Sequence, residues 1–144
     1  MRETAGAVLI DTEGRFLFQL RDNIPTIVYP GMISLFGGHR EADETFLQCV
    51  CREVREEISY DVDAGRFETL GRYSHVHPDG SSAVCEIFVA RGIPTLGLVI
   101  TEGTLFVATS EELPQLSTQM SPSARAAVGM LKSLGGQAAR CRER

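Results

Sequence analysis

Tryptophan is absent from this chain, and aromatic residues of all kinds make up only 7% of it. Basic residues are also scarce: 14 lysines and arginines stand against 19 aspartates and glutamates, a formal net charge of −5. That balance excludes a nucleic-acid coat or a binder of anionic membrane surfaces as the leading role. No apolar run approaches the length that spans a bilayer. The opening Met1-Arg-Glu-Thr4 leads into the apolar stretch Ala5–Ile10, which stops at Asp11 without the shape of a signal peptide. A cytoplasmic location is the expectation, with neither nucleic acid nor membrane as partner. The four cysteines, Cys49, Cys51, Cys85 and Cys141, form no CxxC pair and have no histidine at zinc spacing. Free thiols in a reducing compartment fit that pattern better than a disulfide framework or structural zinc.

What is there is 144 residues, 43% hydrophobic and 23% charged, the composition of an ordinary globular protein. A single domain over residues 1–136 is expected, with a polar, arginine-rich and frayed tail over 137–144. No repeat or interdomain linker interrupts it. Apolar runs at Ala5–Ile10 and Arg15–Leu20, joined by Asp11-Thr-Glu-Gly14, predict a β-hairpin. Asn23–Met32, with Pro25, Pro30 and Gly31, predicts a loop, and Ile33–Phe36 is a brief apolar stretch that runs into Gly37-Gly38.

From Asp43 to about Ile58 the period becomes helical, with Phe46, Leu47, Val50, Val54 and Ile58 as the buried stripe and Asp43 as N-cap. Phe67–His77 and Ala83–Ala90 read as strands joined by a turn at Pro78-Asp-Gly80, and Thr104–Ala108 as another strand. Ser110–Leu113 reads as a helical turn. Ser121 and Pro122 open a final helix, which Gly135-Gly136 should stop. Strands on both sides of a mid-chain helix, with another helix at the end, indicate a mixed sheet covered by helices.

The chemistry concentrates between Gly37 and Glu57. On a helix Glu53, Glu56 and Glu57 fall at i, i+3 and i+4, so their carboxylates share one face and repel one another. An acid-rich helix face is usually only solvated. Here, however, the spacing is joint: Gly38, five residues, Glu44, seven residues, then Arg52-Glu-Val-Arg-Glu-Glu57. A divalent cation with oxygen ligands would relieve the repulsion, and an acidic protein that handles a polyanion needs such an ion to invert the local field. Gly37-Gly38 lets backbone pass close to the site, so that a carbonyl there can reach the ion. Glu44 is placed to accept a hydrogen bond or to buttress Arg52, which reads as an orienter because its side chain and that of Glu53 project differently.

The segment Gly38–Tyr60 resembles the Nudix box, Gx5Ex7REUxEExGU, matching at Gly38, Glu44, Arg52, Glu53, Val54, Glu56 and Glu57. Tyr60 fills the last apolar place, and Ser59 stands where the pattern has glycine. That glycine serves a left-handed turn, so serine should cost on the order of 1 kcal/mol of stability and remove no ligand. The box covers about a sixth of the chain.

The resemblance implies a Nudix α/β/α sandwich, an α+β fold with a mixed β-sheet between helices, and an Mg²⁺-dependent (or Mn²⁺-dependent) pyrophosphohydrolase. Such an enzyme cleaves the diphosphate of a small nucleotide-like substrate, a dNTP, an oxidised dNTP or another nucleoside diphosphate derivative, with activated water. It further implies Glu53, Glu56, Glu57 and the Gly37 carbonyl as metal ligands. Glu102, in Thr101-Glu-Gly103, lies where a further ligand or general base is expected; either Glu53 or Glu102 could take the proton. Frequent homodimers in the family are the sole ground for expecting one here.

Arg21, Arg40 and Arg72 are candidate phosphate contacts, although exposed arginines are common. His39, His75 and His77 are candidate phosphate contacts or acid/base groups, with His75 and His77 on one face of a strand. Phe36, Tyr73 and Phe88 could stack on a base or simply fill the core. Three other readings stay open: an ADP-ribose or sugar-nucleotide pyrophosphatase, a non-catalytic nucleotide-sensing module, and a diphosphate isomerase using Cys85-Glu86.

Overall fold

The structure, a computed structural model, describes residues 1–142 and the side chains of residues 1–134. Its frame is β1 (Arg2–Asp11), whose residues alternate between two cores. Ala5, Ala7 and Leu9 face one way, and Val8 faces the other. β6 (Ser82–Ile93) lies parallel to β1 with Ala5 opposite Glu86, and β5 (Phe67–Val76) lies antiparallel to β6 at the sheet edge.

On its other side β1 is shared. Its C-terminal half pairs with β2 (Phe16–Leu20), with Leu9 opposite Leu17. Its N-terminal half pairs with β4 (Phe36–His39), with Ala5 opposite Gly38 and Gly6 opposite Gly37. β2 also pairs with β3 (Ile33–Ser34) and β7 (Thr104–Ala108), which completes a seven-stranded mixed sheet.

Helix α1 (Phe46–Ile58) covers one face and α3 (Pro122–Arg142) the other, with the short α2 (Leu113–Leu116) beside α3. Val50, Val54 and Ile58 of α1 pack on Leu17, Phe36 and Phe88. Ala124, Ala127 and Val128 of α3 pack on Phe18, Ile87 and Val89. This is the expected α/β/α sandwich, and it gives Phe36 and Phe88 to the core.

Several local expectations are corrected. The N-cap of α1 is Thr45, not Asp43: Gln48 N–H donates to Thr45 Oγ1 at 3.1 Å, and Thr45 N–H donates back to Gln48 Oε1 at 2.9 Å. A reciprocal capping box satisfies two end donors where an isolated acid satisfies one. Leu47 is 36% exposed, and Cys49 takes its place in the buried stripe. The helical turn after β7 forms at Leu113–Leu116 and not at Ser110–Leu113. Gly135-Gly136 does not stop α3, which continues to Arg142. Glycine costs a helix about 1 kcal/mol without forbidding it, and Gln137-Ala-Ala-Arg140 favours continuation. The end of the expected frayed tail lies outside the described residues. Cys49, Cys51 and Cys85 are free thiols, and the side chain of Cys141 lies outside the described part. Among the described residues no helix is long and apolar enough to cross a membrane.

Candidate active site

The site forms where β4 meets the inward face of α1. Glu53 and Glu57, one helical turn apart, both point at the Gly37-Gly38 backbone. The Gly37 N–H donates to Glu57 Oε1 at 2.7 Å. A Cβ on Gly38 would lie 2.5 Å from the Glu53 carboxylate, and one on Gly37 would collide with the Ala5 carbonyl. Only glycine therefore leaves room for carboxylates to lie against this strand.

Glu57 is 6% exposed. Burial, reinforced by the charges of Glu53 and Glu102, pushes its pKa from 4.5 to about 8, against the opposing hydrogen bonds from Gly37 and Gln19. Gln19, 4% exposed, donates from one amide nitrogen to Glu57 Oε2 at 3.1 Å and to the Glu102 carbonyl at 3.0 Å. Sequence reasoning missed Gln19. Its signal was a lone amide inside the apolar strand Phe16-Leu-Phe-Gln-Leu20.

Glu102 arrives from a distant loop because that loop is tied to the end of α1. Helix ends leave carbonyls without intrahelical partners, and here Val99 N–H donates to Ile58 O at 3.2 Å and Thr101 N–H to Glu57 O at 3.0 Å. Thr101 Oγ1 adds a bond to Glu56 O at 3.1 Å. The left-handed residue that closes α1 is Ser59, with φ 56° and ψ 37°, as its place in the motif implied.

Arg52 is the hub of the helix's outer side. It grips Glu44 with two bonds, Nη2 to Oε1 at 2.6 Å and Nε to Oε2 at 3.0 Å, and donates to the His39 carbonyl at 3.1 Å. Its Nη1 also donates to Glu53 Oε1 at 2.8 Å, so the two side chains meet and do not diverge as expected. The hydrogen bond from Arg52 holds the Glu44 carboxyl at about 2, well below the usual carboxylate range.

A cleft of about 390 Å³ contains this arrangement. Gly37, His39, Glu53, Glu57 and Glu102 line it, and so do Arg21, His75 and His77. Glu56 does not: it is half-exposed beside Arg52 Nη1 at 3.5 Å. Arg40 is also elsewhere, donating to Glu3 at 2.6 Å and to the Glu44 carbonyl at 2.8 Å. Arg72 pairs with Glu86 at 2.8 Å, and its guanidinium sits 5.3 Å from the Phe46 ring centroid. Glu86 thus points away from buried Cys85, so the two cannot act as a catalytic pair.

The donor set fits a hard divalent cation. Carboxylates and a backbone carbonyl offer oxygen only, and the buried Glu57 stands among like charges that a cation would compensate. Among the described residues no three acidic, histidine or cysteine side chains already converge as a closed cage. An open set of this kind suits an ion that keeps waters and shares its remaining positions with substrate phosphate.

Comparison with known proteins agrees with this geometry. A family profile described as NUDIX domain matches residues 1–116. By structure the chain is similar to a MutT NUDIX hydrolase from Burkholderia pseudomallei, with a TM-score of 0.74 and 24% identity over 90% of this chain and 96% of the other. It is also similar to a MutT protein from Methanosarcina mazei Go1, with a TM-score of 0.78 and 17% identity over 93% and 94%. A NUDIX hydrolase from Nitrosomonas europaea gives 0.70 and 16% over 92% and 88%. At such identities the structural likeness speaks for the fold alone. No curated protein sequence matches the chain.

Proposed function

The chain belongs to the NUDIX domain family, and from that premise we propose that it hydrolyses the diphosphate linkage of a nucleoside di- or triphosphate derivative with the help of Mg²⁺ or Mn²⁺. The observation that carries this reading is the pairing of Glu53 and Glu57 against the glycine backbone, with Glu102 delivered to the same cleft. Glu53, Glu57, Glu102 and the Gly37 carbonyl would hold the cation, with Glu56 available from the solvent side. When bound, the ion supplies Lewis acidity to phosphate oxygens and makes water a stronger nucleophile.

The chain's own residues do the rest. Gly37 N–H and Gln19 fix Glu57 so that its charge need not reorganise during the reaction. Arg52, locked by Glu44, fixes Glu53. Water attacks phosphorus, the bond to the bridging oxygen breaks, and the leaving phosphate takes the electron pair. The proton passes to a carboxylate oxygen of Glu53 or Glu102. Arg21 is the cation free to meet a phosphate: its Nε donates only to the Val28 carbonyl, at 2.7 Å, and it forms no salt bridge among the described residues. Residues 1–136 would act as one catalytic domain.

The test is product analysis with Mg²⁺ and a panel of dNTPs, oxidised dGTP, ADP-ribose, sugar nucleotides and dinucleoside polyphosphates. Cleavage that depends on the cation and disappears in Glu53→Gln is the expected result. Nucleotide binding without cleavage of any panel member would overturn the enzyme reading in favour of a sensing module.

A further inference from the structure

The cleft has two chemically different parts. Glu53, Glu57 and Glu102 occupy one; Tyr29, Leu35, His75, His77, Ala83 and Cys85 wall the other. The second part holds no carboxylate, and Arg2 beside it is turned to Asp79 at 3.2 Å. Its rings form a continuous ladder. Tyr73 stacks behind His75 at 5.0 Å and 17°, His75 meets His77 edge to face at 4.5 Å, and Tyr29 Oη lies 3.4 Å from His77 Nδ1.

Among the described residues, His75 Nδ1 is the one buried side-chain nitrogen or oxygen without a hydrogen-bond partner. Such an orphan keeps the desolvation penalty of burial with no bond to offset it. No internal bond fixes the ring's tautomer, so the imidazole can present either a donor or an acceptor. Burial, together with neighbouring His77, lowers its pKa below the ordinary 6.5. The position is also suitable. β4, β1, β6 and β5 are successive neighbours, and at about 4.8 Å per strand β5 lies roughly 14 Å from β4. That is comparable to the extent of a nucleotide from base to diphosphate.

Building on the hydrolase reading above, we infer that the Tyr29–His75–His77 wall receives the nucleobase and that His75 is a specificity-determining residue, hydrogen-bonding the edge of the base. This gives His75 and His77 a role apart from phosphate contact or proton transfer. A flat, uncharged ring fits an aromatic wall without carboxylates, whereas a second sugar with its many hydroxyls would leave most of them unpaired there.

The chain contains 3 histidines, so each imidazole can be followed by proton NMR. Metal-free protein would be titrated with the four nucleoside 5′-monophosphates and with ribose 5-phosphate. The monophosphates should shift the His75 and His77 resonances, one base more than the others, while ribose 5-phosphate leaves them in place. With Mg²⁺, His75→Phe should raise KM for the preferred nucleotide about tenfold, the value of one hydrogen bond, and flatten the preference among bases. In that variant kcat should stay within about twofold, and His75→Gln should restore part of the preference. Equal shifts with ribose 5-phosphate, or an unchanged base preference in His75→Phe, would overturn the inference even if nucleotides are hydrolysed. Base-dependent shifts without any hydrolysis would uphold it and defeat the hydrolase reading alone.

Discussion

At Glu57 the sequence shows a carboxylate on an acid-rich helix face, and the structure turns it inward onto the Gly37 N–H and the Gln19 amide. A buried charge among like charges stays there only if something compensates it in the working state. In wild type, a cation present at about a hundred times its Kd would stabilise the fold by about 2.7 kcal/mol. In Glu57→Gln, thermal melts with and without Mg²⁺ should coincide, and kcat/KM should drop by about a hundredfold. A normal Mg²⁺-dependent rise in Tm would show that the ion binds elsewhere.

Among the described residues, Asp11 is the other acid the fold has pulled in, at 3% exposure. Burial alone would raise its pKa, but bonds from Thr95, the Arg15 and Glu13 backbones and the Arg15 side chain outweigh it and bring it from 3.8 to about 2. With the folded value below the unfolded one, its contribution is complete above about pH 4 and lost as pH falls toward about 2. Asp11→Asn should cost about 1.5–3 kcal/mol at neutral pH and flatten the acid limb over that window in urea unfolding. The carboxylates of the box could be read from spacing alone. Gln19 could not be assigned a role, because Glu57, which defines it, lies far along the chain. For Asp11 the Glu13 and Arg15 partners are local, and only Thr95 is distant.

Among the elements, α1 shows most clearly what local sequence can and cannot give. Its apolar period locates it, and the capping box Thr45-Phe-Leu-Gln48 stands in plain letters two residues past Asp43, the acid that competes for the cap in the sequence. Its C-terminal anchoring was not legible, since Val99 and Thr101 supply it through backbone bonds that carry no side-chain signature. Two substitutions separate stability from chemistry here. Thr45→Ala should cost about 1 kcal/mol and leave kcat unchanged. Ser59→Gly, at φ 56°, should gain up to about 1 kcal/mol by removing the left-handed penalty. Denaturant midpoints with assays at matched folded fraction check both. A fall in kcat for Thr45→Ala would mean that the start of α1 also sets the position of Glu53.

Over the whole molecule, the order of strands and helices made a mixed sheet covered by helices legible, and the Nudix resemblance implied the sandwich. β1 and β6, alternating between two apolar faces, are what the two helices cover. The cleft was less so, since it depends on β2 and β4 sharing one edge of β1, a topological fact that no window of sequence contains. The net charge of −5 belongs to this scale. In the bare cleft at neutral pH Glu57, its pKa raised to about 8, is largely protonated. An approaching nucleotide therefore meets Glu53 and Glu102 on an acidic protein, with Arg21 and the Arg52 guanidinium beside Glu53 as counterweights, and the long-range force is repulsive. Salt screens that force: the Debye length shrinks from about 30 Å at 10 mM to about 10 Å at 100 mM. In EDTA, nucleotide affinity should therefore rise over this range of salt. With saturating Mg²⁺ the carboxylate field is compensated, and the same titration should be flat or fall slightly. Isothermal calorimetry with Glu53→Gln, which prevents turnover, reads both limbs. That variant lowers the repulsion by one charge and keeps Glu57 and Glu102. Affinity that falls with salt in EDTA would mean that Arg21 and its neighbours dominate the approach and that the carboxylates are already compensated within the fold.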